Sequence, residues 1–348
     1  MFRTGFVWPP DPATAAGHGI ARSAPVVARN SPEAFNARVP YGRLMAEPPM
    51  ETSRSMLYIA DGSLAYAGHY LHEGRHPAHT HSFVEVAVMT GGAGVHHSLA
   101  GRQQLEIGDV ILLRPGVWHG YEECRRLDLY NCCFSTELLQ RELAWTRADP
   151  LLGHLLWTGP YAAQRRGILT TRLGPERLAE CVTHLDALDR LRREPVSLHR
   201  GDIIGRLALF LSCLGRAVAQ DGDIDAGSGH THPAVVEAMR RMEDRVAHPW
   251  TLTELAADLH LAPGYLVRLF KSATGLPPMA YLSRHRVEVA AAQLLHTDDP
   301  ISRIGESVGW PDQNYFARRF RAHYGLSASA YRTRFTHNSV RLRTWDAP

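Results

Sequence analysis

The sequence predicts a multi-domain β plus α protein, with an N-terminal β-barrel and a C-terminal all-α domain. Residues 54–135 are short apolar and β-branched segments separated by glycine, which is typical of a barrel or sandwich. Residues 136–220 and 233–335 instead space their apolar residues by three and four, as buried helices do. The Gly/Asp/Ser-rich stretch at 221–232 has the composition of a linker between these helical blocks.

The chain has 348 residues, which is long enough for at least two domains. The Pro/Ala-rich start of the chain has no clear period, and we expect it to be partly disordered. The predicted divisions are an N-terminal extension at 1–52, a barrel domain with appended helices at 53–220, a linker at 221–232, a helical domain at 233–335 and a tail at 336–348.

The composition predicts an ordinary globular protein of the cytoplasm. No run of 18 apolar residues is present, and the N-terminus lacks the apolar core of a signal peptide, so we expect no membrane partner. The 5 cysteines include no C-x-x-C spacing, which favours a reducing compartment over a disulfide framework. A net charge of +3 is too small to indicate a polyanionic partner by itself.

Helix signals in the C-terminal block predict a helix, a tight turn and a second helix. Thr251 and Glu254 have the spacing of a capping box at the start of the first helix. Pro263 suits the first turn of the next helix, and Gly275 suits its C-cap. This arrangement is typical of a helix-turn-helix unit, whose second helix enters the major groove of DNA.

The unit then recurs. LVRLFKSATG at 266–275 aligns without gaps with FARRFRAHYG at 316–325. In both copies the apolar residues form i, i+4 pairs, which leave Arg268 and Arg318 on the opposite, exposed face. Between the copies, a helix from Pro278 to Leu295 would be roughly 27 Å long, which suits two reading helices about one DNA turn apart.

These C-terminal residues resemble the AraC/XylS type of transcription regulator. The resemblance covers both helix-turn-helix units and the connecting helix, in LAPGYLVRLFKSATGLPPMAYLSRHRVEVAAAQLL and ISRIGESVGWPDQNYFARRFRAHYGLSASAYR. It implies a DNA-binding domain that reads adjacent major grooves. The chain departs from the family at Ala262, where Ser is usual, at Gly305, where Ala is usual, and at Trp310, where Phe is commoner.

The resemblance also implies which residues contact DNA. Arginine can bind guanine bidentately, and Gln or Asn can bind adenine, whereas phosphate contacts position the protein without specifying sequence. The implied base-contacting residues are Gly264, Val267, Arg268, Gln313, Asn314, Ala317 and Arg318, and the phosphate candidates are Lys271, Arg319 and Arg321.

A second cluster of chemically active residues lies in HPAHTHSFVE at 76–85. His79, His81 and Glu85 have equal parity and would share one face of a strand. A fully extended strand spreads them over about 20 Å, too far for one metal ion. The chain must therefore bend between His81 and Glu85 if they converge, and His119 must arrive from another strand.

This stretch resembles the two motifs of the cupin barrels. The first motif fits at Gly74, His79, His81, Glu85 and Gly92, and the second, more loosely, at Gly108, Pro115, Gly116 and His119. Three interpretations stay open: a metal-dependent enzyme fused to a DNA-binding domain, a non-catalytic metal site holding Zn, Fe, Ni or Mn, and a metal-free pocket for a polar small molecule. The metal-free pocket is favoured, and His96 and His97 need not face inward.

Taken together, the patterns predict a ligand-responsive regulator, with the family leaning toward activation, and not an enzyme. Leu178, Val182, Leu185 and Leu188 form an apolar stripe that predicts a homodimer surface, or else packing on the chain's own barrel. The expected partners are double-stranded DNA and a small-molecule effector, and RNA polymerase is left open.

Overall fold

The computed structural model describes residues 65–161, 165–191, 194, 196–220 and 232–336. The predicted extension at 1–52, residues 221–231 of the predicted linker and the tail from 337 lie outside the described residues. The elements, in chain order, are β1 Ala65–His79, β2 Val84–Ser98, β3 Gly101–Leu105, β4 Asp109–Leu113, β5 His119–Phe134, α1 Thr136–Gln140, α2 Pro150–Gly153, β6 Ile168–Arg172, α3 Pro175–Leu191, α4 Val196–Gln220, α5 Pro233–Asp244, α6 Leu252–Asp258, α7 Pro263–Thr274, α8 Pro278–His296, α9 Ile301–Ser307, α10 Gln313–Tyr324 and α11 Ala328–Thr336. The predicted fold class is confirmed.

The strands form one antiparallel sheet in the order β1-β5-β2-β4-β6, with β3 paired to β2. The long strand β5 pairs with β1 on one side and with β2 on the other. Bulges interrupt the pairing of β2 with β5 between Met89 and Val95. A bulge inserts an extra residue and bends the strand, so side chains beyond it change face relative to those before it.

Helices α3 and α4 pack against each other and against the sheet. Leu185 and Leu188 of the predicted stripe are buried within the chain's own core, while Leu178 and Val182 are half-buried at its edge. Cys181 of α3 lies 3.0 Å from Cys213 of α4, sulfur to sulfur, and both thiols are free. The part of the stripe that faces the core therefore stabilises the sheet domain itself.

The two predicted helix-turn-helix units are α6–α7 and α9–α10. Gly275 and Gly325 end the reading helices α7 and α10 with φ of 72° and 80°, the left-handed conformation that glycine adopts without steric cost. Asp312 caps α10 by accepting hydrogen bonds from the backbone of Asn314 and Tyr315, whereas Ala262 at the same place before α7 offers no side-chain cap.

Helix α8 connects the two units and is buried on most of its surface. Its Arg286 donates to the carbonyls of Val246 and His248, which precede α6, and to the carbonyl of Gly309 in the turn of the second unit. One guanidinium therefore ties both units to the connecting helix. Among the helices within the described ranges, none is long and apolar enough to cross a membrane.

Two buried apolar clusters make up the core. The first joins the sheet and the helices α3 and α4 to the first helix-turn-helix unit, including Leu266 and Phe270. The second joins the other side of the sheet and the loop between β4 and β5, which includes Val117 and Trp118, to the second unit. Each helix-turn-helix unit therefore shares a core with a different part of the N-terminal domain.

Candidate effector site and nucleic-acid interface

The N-terminal halves of the reading helices α7 and α10 are exposed. Phe270 and Phe320 are buried beneath them, and the i, i+4 spacing turns the opposite face to solvent. Of the predicted base-contacting residues, Val267 is half-buried, and the exposed ones are Gly264, Arg268, Gln313, Asn314, Ala317 and Arg318. The structure thus leaves these side chains accessible to a DNA groove.

Each reading arginine lies over a tyrosine ring one turn earlier in its helix. The guanidinium of Arg268 lies 5.6 Å from the ring centre of Tyr265, and that of Arg318 lies 5.9 Å from the ring centre of Tyr315. Such cation–π contacts restrict the arginine before it meets a base. The sequence interpretation missed both tyrosines, although extending the alignment of the two units by one residue would have paired them.

The predicted phosphate contacts differ in their freedom to move. Lys271 and Arg321 are exposed. Arg319 is half-buried and its Nε donates to the hydroxyl of Ser283 in α8 at 3.0 Å. Arg319 therefore already has a partner in the fold, while the other two are available to a polyanion.

The histidine and glutamate residues of HPAHTHSFVE converge inside the sheet domain. Strand β1 ends at His79, residues 80–83 form a bend, and β2 places Glu85 near its start. His119 opens β5, directly opposite His79 in the pairing of β1 with β5. The predicted bend between His81 and Glu85 is thus present, and His119 arrives from another strand.

The ligand atoms of this cluster are close enough to surround one ion. One nitrogen or oxygen each from His79, Glu85 and His119 lie within 4.8 Å of one another. Nε2 of His81 lies 3.3 Å from Oε2 of Glu85, and Nε2 of His119 lies 4.0 Å from the same oxygen. Glu85 and His119 are 1% and 0% exposed, so both are buried away from bulk solvent.

Backbone carbonyls orient two of the imidazole rings. Nδ1 of His79 lies 3.1 Å from the carbonyl of Pro77, and Nδ1 of His81 lies 2.8 Å from the carbonyl of Phe83. Because a carbonyl can only accept, each Nδ1 carries the proton and each neutral ring presents the lone pair of Nε2. Metal-binding histidines in proteins are typically held in this way.

Burial controls the protonation of the cluster. Burial lowers the pKa of His81 to about 4, and burial followed by repulsion from His76 lowers the pKa of His79 well below its usual value. Burial also raises the pKa of Glu85 to about 8. At neutral pH the imidazoles are therefore uncharged and able to act as ligands or hydrogen-bonding groups.

Several buried polar atoms of the cluster have no hydrogen-bond partner among the described residues. They are His81 Nε2, both carboxylate oxygens of Glu85, His96 Nε2, both ring nitrogens of His119 and the Tyr121 hydroxyl. An unpartnered buried polar group costs about 1–3 kcal/mol. So many in one place indicate a site whose groups are satisfied by a bound partner.

The structure corrects the expectation that His96 need not face inward. His96 is buried, and its ring centre lies 5.6 Å from that of His119 and 5.5 Å from that of Tyr121. If side chains simply alternated along β2, His96 would lie on the opposite face from Glu85. The bulges between Met89 and Val95 shift this alternation and turn His96 inward. His97 is also buried, beside Glu122 at 3.6 Å.

Two further histidines of β1, His72 and His76, lie beside the cluster and form its rim. The rings of His72 and His76 stack with centres 4.6 Å apart, and His76 meets His79 edge-on at 5.1 Å. Both rim residues are half-buried. The approach to the cluster is therefore lined by imidazole groups.

The exposed, duplicated reading helices and the buried polar cluster define a class: a DNA-binding regulator that carries its own effector domain. Comparison with known families agrees. Residues 62–162 match the AraC-like ligand binding domain, and residues 255–334 match a helix-turn-helix domain, together just over half of the chain. The chain belongs to the AraC family of transcription regulators, and it is a ligand-responsive DNA-binding regulator rather than an enzyme.

Named relatives span most of the chain. It is 26% identical over 260 residues to the transcriptional activator RhaS of Escherichia fergusonii, covering 74% of this chain and 87% of RhaS. It is 24% identical over 296 residues to the transcriptional activator RhaR of Yersinia pestis, covering 85% of this chain and 98% of RhaR. ToxT of Vibrio cholerae is 12% identical, with a TM-score of 0.48, over 78% of this chain and 99% of ToxT.

Proposed function

We propose that the protein is a cytoplasmic transcription activator that works as a homodimer. The observation that carries this proposal is the pair of exposed reading helices in the same chain as a buried, unpartnered polar cluster. The relatives RhaS and RhaR are named transcriptional activators, which supports activation over repression. RNA polymerase is the partner that an activator would contact.

DNA recognition is proposed to be unequal between the units. In the second unit Gln313, Asn314 and Arg318 offer hydrogen bonds to base edges, with Ala317 available to a thymine methyl group. In the first unit Gly264 and Val267 have no side-chain hydrogen bond, so Arg268 would carry base readout there. Phosphate contacts are assigned to Lys271 and Arg321, with Arg319 held in position by Ser283.

The DNA assignment is tested by selecting duplexes from a random library with the full chain. The expected result is a motif of two segments whose centres lie about one helical turn apart, because two reading helices lie on one rigid connector. Absence of any enriched motif would overturn the proposed function.

The buried cluster of His79, His81, Glu85 and His119 is proposed as the effector site. A divalent transition metal such as Zn, Fe, Ni or Mn would fit the ligand atoms of His79, Glu85 and His119, with His81 Nε2 beside Glu85 as a further ligand, and it would supply a positive charge to the buried Glu85. The carbonyl-bound Nδ1 of His79 and of His81 favours this occupant, because it leaves each Nε2 free to ligate.

A polar organic effector is the second candidate. The Tyr121 hydroxyl and His96 Nε2 lie beside the cluster without partners among the described residues, and a single metal ion would leave them so. A polyhydroxylated molecule could accept from the hydroxyl and donate to the imidazole.

Metal content separates the two occupants. The full chain, purified without a histidine tag or a chelator, is expected to hold close to one metal ion per chain. His81→Ala should lose that ion, while His69→Ala should retain it, because His69 is paired with Asp128 away from the cluster. Wild-type protein without metal would eliminate the metal and leave the organic effector.

The homodimer surface is proposed on the outer face of α4, not on the buried part of the α3 stripe. Leu198 and Leu209 are 76% and 51% exposed, and they lie three turns apart on one face of α4. Gly205 lies between them with nothing near its missing side chain, so a second helix can approach closely. Leu209→Asp should shift sedimentation toward the monomer, whereas Leu71→Asp, exposed on β1, should not.

A further inference from the structure

We infer that the loop at 114–119 transmits occupancy of the histidine cluster to the second helix-turn-helix unit, through the hydroxyl groups of Tyr324 and Tyr331. This inference rests on the proposed function, because it takes the cluster to be the effector site. It identifies the part of the DNA-binding domain that responds and the bonds that connect the two.

The loop that delivers His119 is hydrogen-bonded directly to the second unit. The Tyr324 hydroxyl at the end of α10 donates to the carbonyl of Pro115 at 3.1 Å. The Tyr331 hydroxyl in α11 donates to the carbonyl of Gly116 at 3.0 Å. All of these groups are buried, so displacing the loop breaks bonds that water cannot readily replace.

The other ligand-bearing segment meets the same tyrosine. Thr80, between His79 and His81, places its hydroxyl 3.1 Å from the Tyr331 hydroxyl. The backbone nitrogen of Gly116 donates to the carbonyl of His81 at 2.8 Å. Both segments that supply the cluster therefore converge on Tyr331, and a change in their spacing alters its hydrogen bonds.

Gly116 is packed so closely against Tyr324 that no larger residue would fit. Its φ of +80° is in the left-handed region, and a Cβ built there would lie 2.2 Å from the Tyr324 hydroxyl oxygen and 2.8 Å from Cβ of Ala291. Close-packed interfaces of this kind respond to displacement by switching arrangement rather than by compressing. A shift of the loop by a fraction of an ångström is therefore passed to α8 and α10.

One end of the loop is fixed while the other is part of the cluster. Arg114 is held by Glu288 of α8 through two hydrogen bonds of 2.9 and 3.1 Å, with both side chains buried. The movable part thus runs from Pro115 to His119. An effector can shift the balance between two arrangements of the loop only by binding one of them more tightly. The hydrogen bonds to the two tyrosines differ between these arrangements, so effector binding is coupled to the second unit.

The test is a mutant cycle read by hydrogen exchange in the full chain. His119→Ala removes a fully buried ring from the cluster side of the loop. In the wild-type background it should accelerate amide exchange across 313–336 by about fivefold, the factor for one lost neutral hydrogen bond. In the Tyr324→Phe/Tyr331→Phe background it should add no change.

Two controls keep the experiment decisive. Tyr130→Phe removes a hydroxyl that donates to Asp186 inside the sheet domain. In that background His119→Ala should still accelerate exchange across 313–336 by the full amount. Amides of 252–274 in the first unit serve as the internal reference. If His119→Ala unfolds the chain, His119→Gln preserves most of the volume and replaces it.

Two outcomes would overturn the inference: no acceleration across 313–336 in the wild-type background, or the same acceleration when both hydroxyls are absent. Neither depends on DNA or on an effector. If the chain selects a DNA motif but shows either outcome, the inferred coupling is refuted and the proposed function stands.

Discussion

The two helix-turn-helix units have the same local structure but different attachments. Glu243 lies in α5, which precedes the first unit; it pairs with Arg147 and accepts from Tyr281, against the helical segment that follows the sheet. Glu288 lies in α8, which leads into the second unit; it pairs with Arg114, on the loop that leads to the histidine cluster. A duplicated fold has thus been anchored to two different parts of the N-terminal domain.

This difference indicates a division of labour. The first unit shares its core with α3 and α4, which lie away from the cluster. The second unit shares its core with Tyr121, whose ring lies 5.9 Å from that of His119 in the cluster. The second unit also has more side chains able to bond with bases. The unit with more side chains able to bond with bases is therefore the one that lies next to the histidine cluster.

The largest expected effect comes from breaking one buried anchor. Glu288→Ala leaves Arg114 charged and unpaired in the interior, which should lower the free energy of unfolding by about 3–5 kcal/mol. Glu243→Ala should do the same at the first unit, by stranding Arg147. Urea denaturation measures both. Glu137→Ala, at an exposed pair, should cost less than about 1 kcal/mol, and a similarly small loss for Glu288→Ala would show that its anchor is dispensable.

The next effect distinguishes the reading surfaces. Arg318→Ala should weaken binding to the selected DNA by about 1–3 kcal/mol and reduce the sequence preference at one base pair of the motif. Arg268→Ala should fall in the same range and relax a position in the other segment. Binding titrations on selected and random duplexes provide the measurement, with Arg240→Ala on α5 as the control. Equal losses on both duplexes would mean that these arginines contact phosphate only.

The two reading helices also differ in their N-terminal caps. Asp312→Ala removes two backbone hydrogen bonds from the start of α10 and should destabilise the chain by about 1 kcal/mol. Ala262→Ser supplies the missing cap of α7 and should stabilise it by a similar amount. Thermal unfolding of the two variants should therefore shift in opposite directions, and shifts of the same sign would contradict the cap assignment.

The smallest effect is expected at Gly305 in α9. Alanine would gain about 1 kcal/mol of helix propensity, but its Cβ would lie 3.1 Å from the carbonyl of Trp310 and 3.3 Å from the Phe316 ring. The two effects should nearly cancel in the free energy of unfolding. Gly201→Ala in α4, with nothing within 4 Å, should instead show the gain. Equal gains would mean that the turn around Trp310 relaxes freely.

The sequence predicted much of the C-terminal half, because its information is local. The start of α7 at Pro263 and the glycine caps of both reading helices depend on backbone preferences within one turn. The spacing of Leu266 and Phe270 likewise determines which face is buried. The departure at Gly305 could be seen in the sequence, but its reason, the nearby Trp310 carbonyl, is a tertiary contact.

The candidate effector site was predicted less completely. The bend after His81 followed from the reach of a metal ligand, and the structure has that bend. His96 was missed because bulges change strand parity, although the glycines at 91, 92 and 94 are the residue type that marks a bulge inside a strand. The contacts of Tyr324 and Tyr331 with the loop could not be predicted either, because they join residues more than 200 positions apart.

The close approach at Gly116 has a genetic consequence. Any replacement there adds atoms where the Tyr324 hydroxyl already lies, so the chain must separate the loop from α10 or abandon the left-handed backbone. Among regulators selected for ignoring their effector while still binding DNA, substitutions should therefore accumulate at this glycine, which lies outside the reading surface and meets the cluster through its backbone hydrogen bond to His81. Glycine would be required there because it is the smallest residue that can lie between the loop carrying His119 and the reading helix α10.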